Sequence, residues 1–516
     1  MKLTRKNKTI IYISLLLILS SFPLFYYTDI IYGHDIQFHL SRISAITENI
    51  KIWKIIPVYF SYLDGFGYGN GLFYPDLFLY IPAFFNAIGF GLVSSYKIFI
   101  LLINLFSILS IYICIKKITN NDKSTQIGTL LYSLSLYRYI DTFERGALGE
   151  SLAFIFIPLI ILGLYKIFYD NPKEGYYLSF GLIGILFSHI IGSYIFILFT
   201  IIVILINIKK LKEKEILKSL FINISLSILI TSVFWIPLLE QLLTTKFNFF
   251  ANNELYNNIL PLTIVFMDFP AHLYGDIWYP TGLGIIYYIM LIINIKKQKN
   301  NKFLKLVKYS IVITLIIITT RFIWEIGLIK NIIGIIQFPW RLYMLLQILF
   351  VIFVSIVLKD RPIMLKISIR YVVIVFIVNI ILSIYNITIG GIGEYGIMYG
   401  EYLPIEINQE ELKNYKNDNI EYERKNEKTI IKINNYKENQ ELPLIYYKGY
   451  VAKEKEKIYK VEKSENGLVQ IKTDNKAKEI TVHYEGTNIS KISKLTSIIG
   501  ILLFIIWRKN EKKNNR

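Results

Sequence analysis

Charge is what this chain has little of. Asp, Glu, Lys and Arg make up 18% of its 516 residues and hydrophobic residues 54%, against about 25% and 45–50% in ordinary soluble domains. The apolar residues fall in recurring runs of about 20, each the length that spans a bilayer core. A soluble enzyme of several domains is excluded. Cysteine is nearly absent as well: Cys114 stands alone, which rules out a disulfide within the chain and any Cys-based metal site. No internal repeat is visible at any period, which weighs against an inverted-repeat transporter.

What is present is a series of twelve candidate spans, at 9–28, 97–115, 126–141, 150–168, 176–189, 191–208, 217–236, 281–295, 306–320, 341–358, 367–388 and 493–507. The residues Met1 to Lys8 look like the start of a signal peptide, but the apolar stretch after them is too long and lacks a small-residue cleavage site. It reads as an uncleaved anchor that begins in the cytoplasm. Alternating sides from there gives the loops assigned inside a net charge of +22 and everything else −3, within a total of +19. The basic excess therefore reports topology under the positive-inside rule and calls for no nucleic-acid partner. The stretch Leu77 to Val93 is not counted as a span, because counting it would put the lysine-rich loops outside; it is expected to lie along the outer interface.

Three outer segments are then large: 29–96, 237–280 and 389–492. The last has runs of alternating polarity at Ile458 to Val461, Leu468 to Thr473 and Ile480 to Tyr484, with a turn at Glu465-Asn466-Gly467, and reads as a small β-rich domain. The expected fold is an all-α polytopic membrane bundle of about 12 transmembrane helices with a small β-rich extracytoplasmic domain. Residues 1–388 form the transmembrane part, 389–492 the β-rich domain, and 493–516 the final helix with a basic cytoplasmic tail.

Polar residues gather at the outer ends of the spans. The first outer segment opens with Gly33-His34-Asp35-Ile36-Gln37-Phe38-His39-Leu40-Ser41-Arg42. On a helix, Asp35, His39 and Arg42 share a face. A carboxylate near the lipid surface with cationic neighbours is placed as a general base toward an anionic, lipid-linked substrate; alternatively Asp35 caps the helix and the others solvate it. His34, Asp35 and His39 are also legitimate ligands for a divalent metal, although no second ligand cluster supports one, and the metal reading is not favoured.

These residues, followed by Pro57, Gly65-Phe66-Gly67-Tyr68-Gly69 and Phe73-Tyr74-Pro75, resemble the opening of bacterial multi-spanning proteins called 6-pyruvoyl-tetrahydropterin synthase-related, close to YfhO-like proteins. Later stretches that match are Glu144-Arg145-Gly146-Ala147-Leu148-Gly149-Glu150, Phe338-Pro339-Trp340-Arg341, Glu401-Tyr402-Leu403-Pro404 and Leu442 to Tyr450. Despite that name, the zinc-binding histidine set of a soluble pterin synthase is missing. The resemblance implies a GT-C fold, in which a membrane bundle transfers a sugar from a polyprenyl-phosphate donor on the outer face. It also implies that an acidic residue of the first outer loop, here Asp35, is the catalytic carboxylate. Many members carry paired acids there, whereas this loop has His34-Asp35 alone.

A lipid-phosphate leaving group needs positive charge at the outer headgroup level. Arg341 and Arg145 are the first candidates, and Arg138 and Arg321 further ones; each alone could be an arginine snorkelling from a helix end. Glu150 either orients Arg145 or complements the dipole at the start of the fourth span. His189, His272 and Asp276 are interfacial or loop-capping residues, or take a direct part. The expected site is thus Asp35 as the catalytic residue, with His34, His39, Arg42, Arg145, Glu150, His189 and Arg341 binding substrate and no residue assigned to metal. Its partners would be a lipid-linked sugar donor, a surface polymer or glycolipid acceptor, and the lipid bilayer. A transporter or flippase of lipid-linked envelope precursors is the alternative, and a non-catalytic envelope assembly protein a third. A transporter should carry ionisable groups near the membrane midplane, where these spans hold mostly Ile, Leu, Phe and Val.

Overall fold

The computed structural model describes residues 4–26, 33, 35–248, 262–267, 282–294, 301–357, 361–390, 400–474 and 477–514, with the backbone alone at 328–329, 362, 365, 382–390 and 512–514. The main helices are α1 (Arg5–Ser20), α2 (Ile36–Lys51), α3 (Leu77–Ala87), α4 (Leu92–Thr119), α5 (Asp122–Ser133), α6 (Leu148–Tyr169) and α7 (Tyr176–Leu186). They continue with α8 (Ile190–Ile206), α9 (Lys214–Thr244), α10 (Ile285–Asn294), α11 (Lys302–Thr319), α12 (Pro339–Val357), α13 (Pro362–Gly390) and α14 (Asn488–Asn514). Among the described residues, α4, α6, α9, α12 and the stretch Asn488–Glu511 of α14 are long and apolar enough to cross a membrane. The chain is a multi-pass membrane protein.

Each of the twelve stretches contains a helix, but several helices are shorter than expected. The first ends at Ser20, ahead of Pro23, which cannot donate within a continuing helix. The stretch 126–141 is not one span: α5 has 12 residues, about 18 Å, and gives way to a turn at Leu136–Tyr139 and a wide π-type turn at Ile140–Glu144. Breaking there brings Asp141 and Arg145 off the helix line and into the site described below. The helix α3 has the 11 residues of Leu77–Ala87, roughly 16 Å, too short to cross. Left-handed Gly89 (φ 102) and Gly91 (φ 80) separate it from α4. It lies on α2, where Asn86 donates to the Thr47 hydroxyl (3.0 Å).

Among the described residues the β domain has eight strands: β1 (Ile420–Lys425), β2 (Lys428–Ile433), β3 (Asn439–Ile445), β4 (Tyr450–Glu454), β5 (Lys457–Tyr459), β6 (Val461–Lys463), β7 (Leu468–Lys472) and β8 (Glu479–Tyr484). They pair antiparallel in a five-stranded sheet of order β1-β2-β8-β4-β5 and a three-stranded sheet of order β3-β7-β6. The run Ile458 to Val461 is two strands, since the chain leaves one sheet after Tyr459 and enters the other at Val461. Ile431, Leu442, Val469, Ile471, Ile480 and Val482 are wholly buried, in a core that also takes in Phe66, Tyr68 and Phe73 of the first long loop and Phe247 after α9. The Ile445 amide donates to the Phe66 carbonyl (2.9 Å), and Phe247 pairs with Pro404.

Ion pairs tie the basic loops together at the opposite end. Arg5 pairs with Asp122, Lys116 reaches the same carboxylate, and Glu174 takes both Lys117 (3.0 Å) and Lys166 (2.9 Å). The final helix α14 runs antiparallel to α9, since Thr487 meets Glu240 while the Ser497 hydroxyl meets the Ile230 carbonyl. The α6 and α12 helices also run between the two ends.

Charge bias predicts that the β-domain end faces out. Glu465, in the exposed β6–β7 turn, tests this as Glu465→Cys, because the native Cys114 is buried and silent. A membrane-impermeant maleimide is expected to label the variant in intact cells; labelling only after the membrane is broken would reverse the orientation.

Candidate active site

The site is built where the entry to α2 meets the π-type turn. Gly33 packs so close to the backbone of the turn that a Cβ would lie 2.7 Å from the Glu144 carbonyl oxygen and 2.9 Å from that of Arg145. Gly146 has φ 67, and a Cβ there would strike Ile36. Only glycine allows this approach at both points. It lets the Asp35 amide donate to the Arg145 carbonyl (2.9 Å). Asp35 stands at the N-cap position of α2, but its side chain makes no capping bond. The cap reading of Asp35 is therefore not the arrangement found.

Beside this rung lies a buried cluster of charge. Glu150, in the first turn of α6, is 2% exposed. Its Oε1 faces Arg341 Nε at 3.3 Å and Arg145 Nη1 at 3.5 Å, and its Oε2 accepts from the Tyr137 hydroxyl (2.8 Å). Arg145 Nη1 also donates to Asp141 (2.5 Å). Arg341 Nη1 donates to the Ile336 carbonyl (3.1 Å) and to Gln337 (2.5 Å), while its guanidinium lies 5.1 Å from the Phe338 ring centre. Among the described residues the Nη2 of neither arginine makes a hydrogen bond, and both side chains keep some exposure, 15% for Arg145 and 12% for Arg341. Two guanidiniums thus converge on one carboxylate, each with an unused edge suited to phosphate oxygens.

His39 and Arg42 lie one turn further along α2. Arg42 is 1% exposed and its fork is committed: Nε and Nη2 to Asp76 Oδ1 (3.2 and 2.6 Å), Nη2 to the Pro75 carbonyl (2.9 Å) and Nη1 to His39 Nδ1 (3.2 Å). Tyr74 stacks beneath it at 4.3 Å, and the Tyr59 hydroxyl holds the other oxygen of Asp76. Arg42 pins α2 to the loop at 73–76, so it positions the site from behind. Burial first, then the Arg42 and His189 charges, hold His39 well below the usual imidazole range, so its ring is neutral. His189 caps α8, its Nδ1 accepting from the Gly192 amide (3.0 Å). Tyr74 sits between these histidines, 6.1 Å from His39 and 6.3 Å from His189 between ring centres. Its phenol is raised above the usual range by burial first, with the carboxylates of Asp35 and Glu150 adding to the rise and Arg42 opposing it.

The structure therefore brings together Asp35, His39, Arg42, Arg145, Glu150, His189 and Arg341. His34, His272 and Asp276 lie outside the described residues. Arg138 and Arg321 stand apart: Arg138 is buried, donating to the Tyr132 carbonyl (3.0 Å) and Asn104 (3.3 Å), and Arg321 pairs with Glu325 (2.8 Å) on an exposed helix. The sequence pointed to Tyr74 as a ring that stacks on sugars or belongs to an interfacial aromatic belt, and to no role for Asp76, Tyr137, Asp141 or Glu401. Glu401 is the informative omission. Glu401 is exposed; partial loss of water first and then Asp35 raise its carboxyl above the usual range, with Arg341 acting the other way, so a second acid shares the field of Asp35 although it comes from the edge of the β domain. Its place in the motif Glu401-Tyr402-Leu403-Pro404 was the available signal. Among the described residues no three His, Cys, Asp or Glu side chains converge as a metal site.

No family model matches the chain. A relative is found in Lactococcus lactis subsp. cremoris (strain MG1363), an uncharacterized protein 28% identical over 258 residues, 47% of this chain and 42% of that protein. The match therefore spans under half of the relative's length. Among solved structures, the arabinofuranosyltransferase AftD from Mycobacteria is similar at a TM-score of 0.44 and 12% identity, over 73% of this chain and 26% of AftD.

The Arg42–Asp76 pair is buried enough that removing one charge leaves the other stranded, at a cost of about 3–5 kcal/mol. Asp76→Asn is expected to lower the unfolding free energy of the detergent-solubilised protein on that scale. A loss under about 1 kcal/mol would show that the neighbouring carbonyl and rings suffice for Arg42.

Proposed function

We propose that the protein is a membrane glycosyltransferase of the GT-C type, moving a sugar from a polyprenyl-phosphate donor to a polymer or glycolipid acceptor at the outer face. The observation that carries the reading is the Arg145–Glu150–Arg341 cluster, one backbone hydrogen bond from Asp35, whose side chain makes no capping bond to its helix. The two arginines bind the donor phosphate through their free Nη2 edges. In the reaction the Asp35 carboxylate takes the proton of an acceptor hydroxyl while that oxygen attacks the anomeric carbon. The bond from that carbon to the phosphate oxygen breaks, its electron pair leaving with the phosphate. Developing charge on the phosphate is met by guanidiniums already in place, the condition for electrostatic stabilisation without reorganisation. Glu150 holds both arginines ready, and Arg42, already committed to Asp76, leaves Asp35 the carboxylate on its helix face. The resemblance to YfhO-like proteins supports the same reading, as does the charge bias that puts the site outside, with both chain ends in the cytoplasm. The gathering of Asp35, Arg145, Glu150 and Arg341 at one end of the bundle, beside the β domain, favours chemistry over transport.

Asp35→Asn keeps shape and removes basicity, so activity is expected to fall by roughly 10²-fold or more at normal membrane abundance. Asp35→Glu should recover little, because a shift of about 1 Å can itself cost about 10²-fold. In vitro glycosyl transfer from a polyprenyl-phosphate sugar measures both, and wild-type activity in the Asn variant would eliminate Asp35 as the base.

Arg341→Ala is expected to weaken donor binding far more than it lowers stability, and Arg341→Lys to recover only part, since lysine keeps the charge but loses the fork. Binding of the lipid donor to the purified variants reads this out. Equal donor affinity in Arg341→Ala would mark the arginine as a partner of Glu150 alone.

A further inference from the structure

At the end of the bundle away from Asp35 and Glu150, a cavity of about 450 Å³ opens between helix ends, within the ~300–1,000 Å³ usual for ligand sites. The α6 helix sets the separation: Glu150 lies in its first turn and Tyr169 at its last residue, roughly 28 Å along the axis. Lys210, Lys302, Asn301, Tyr165, Tyr169 and Phe303 line the polar part. Tyr165 and Tyr169 pack against Phe303 at 4.8 and 5.4 Å. Lys210 donates to the Phe168 carbonyl and lies 4.5 Å over the Tyr169 ring.

Neither Lys210 nor Lys302 forms a salt bridge among the described residues. The nearby Asp170 and Glu174 are taken by Lys166 and Lys117. Burial first, then the facing Lys302, lowers the Lys210 ammonium, with Glu213 opposing it; these are two cations turned toward one space. Behind Tyr169 and Phe303 the cavity is closed by the apolar packing of Leu164, Phe199, Leu306 and Leu349, with space for about one water. The cavity is thus cationic and aromatic at its mouth and purely apolar behind. That pattern fits an anionic head group.

We propose that this cavity binds the head of an anionic phospholipid, its phosphodiester between Lys210 and Lys302 and its acyl chains in the surrounding bilayer. The cavity opens between helix ends beside the basic loops, and basic pockets between membrane helices are where such headgroups settle. The bound head would join the ends of α4, α6, α11 and α12, which all meet there. The proposal stands apart from the catalytic reading, and its test measures no glycosyl transfer.

The full-length protein, purified in detergent, is heated with phosphatidylglycerol, with phosphatidylcholine, or with inorganic phosphate. Phosphatidylglycerol is expected to raise the unfolding midpoint by mass action and the other two to leave it in place. Lys302 is exposed, so Lys302→Gln should fold, and it should bind phosphatidylglycerol about fivefold more weakly, the effect of one basic residue at an anionic surface. Lys302→Arg should restore binding. A second variant, Lys210→Gln, should weaken it similarly. An equal rise with phosphatidylcholine, an equal rise with phosphate alone, or unchanged affinity in Lys302→Gln would each overturn the proposal, the second outcome showing a site for small anions.

Discussion

A carboxylate withdrawn from water must be neutralised by its neighbours or it will not stay ionised. Glu150 is that carboxylate here, and neutralising it organises one end of the bundle. One arginine comes from the turn before its own helix and the other from the start of α12, 191 residues away in sequence, while a tyrosine takes the remaining oxygen. Removing Glu150 from this arrangement would leave two buried cations facing each other. The break after α5, which a continuous span would not have, exists to deliver Tyr137, Asp141 and Arg145 to this point.

The β domain is not an appendage on a stalk. Its core is continuous with the first long loop, where Phe73 stacks on Tyr402 with rings 2° from parallel and Phe247 stacks on Tyr447. A Cβ at Gly69 would fall 2.6 Å from the Tyr447 ring, so the loop and the domain interlock without room for a side chain. Tyr402 and Leu403 lie in this shared core, which places the neighbouring Glu401 at the edge of the site. The two ends of the bundle are built on different principles: hydrophobic interlock at one, a lattice of surface ion pairs among basic loops at the other.

Much of the helical framework could be read from the sequence, because a run of apolar residues records burial in lipid and needs no knowledge of partners. Strands β7 and β8 were legible for the similar reason that alternation records a sheet with one buried face. Helix ends were less so. Nothing local to Ser133 says that α5 stops there, since its neighbours favour continuation and the stop serves contacts far along the chain. Within the site, Asp35, Arg145 and Arg341 stood out as charge at the edge of apolar runs, and His39 and Arg42 as neighbours on one helix turn. Their division of labour was hidden: that Arg42 is occupied by Asp76, 34 residues on, and that Glu150 serves two arginines, are facts of tertiary pairing. Glu401 stands in a motif that marks it out, but nothing in that motif ties the edge of the β domain to the first loop.

The hydrogen bond from the Asp35 amide to the Arg145 carbonyl carries one further implication. It fastens the carboxylate and the guanidinium to a common backbone rung, and the two glycines keep that rung too tight to stretch. Helix α2 cannot pivot without dragging the Arg145 turn along, nor can that turn swing out and leave Asp35 behind. The spacing of the two main chains that carry the acid and the cation is thereby set like a gauge block, and only the side chains themselves can alter the gap. Any adjustment to molecules of different size has to come from the walls that are not part of the rung, chiefly Tyr74 and the Glu401 edge.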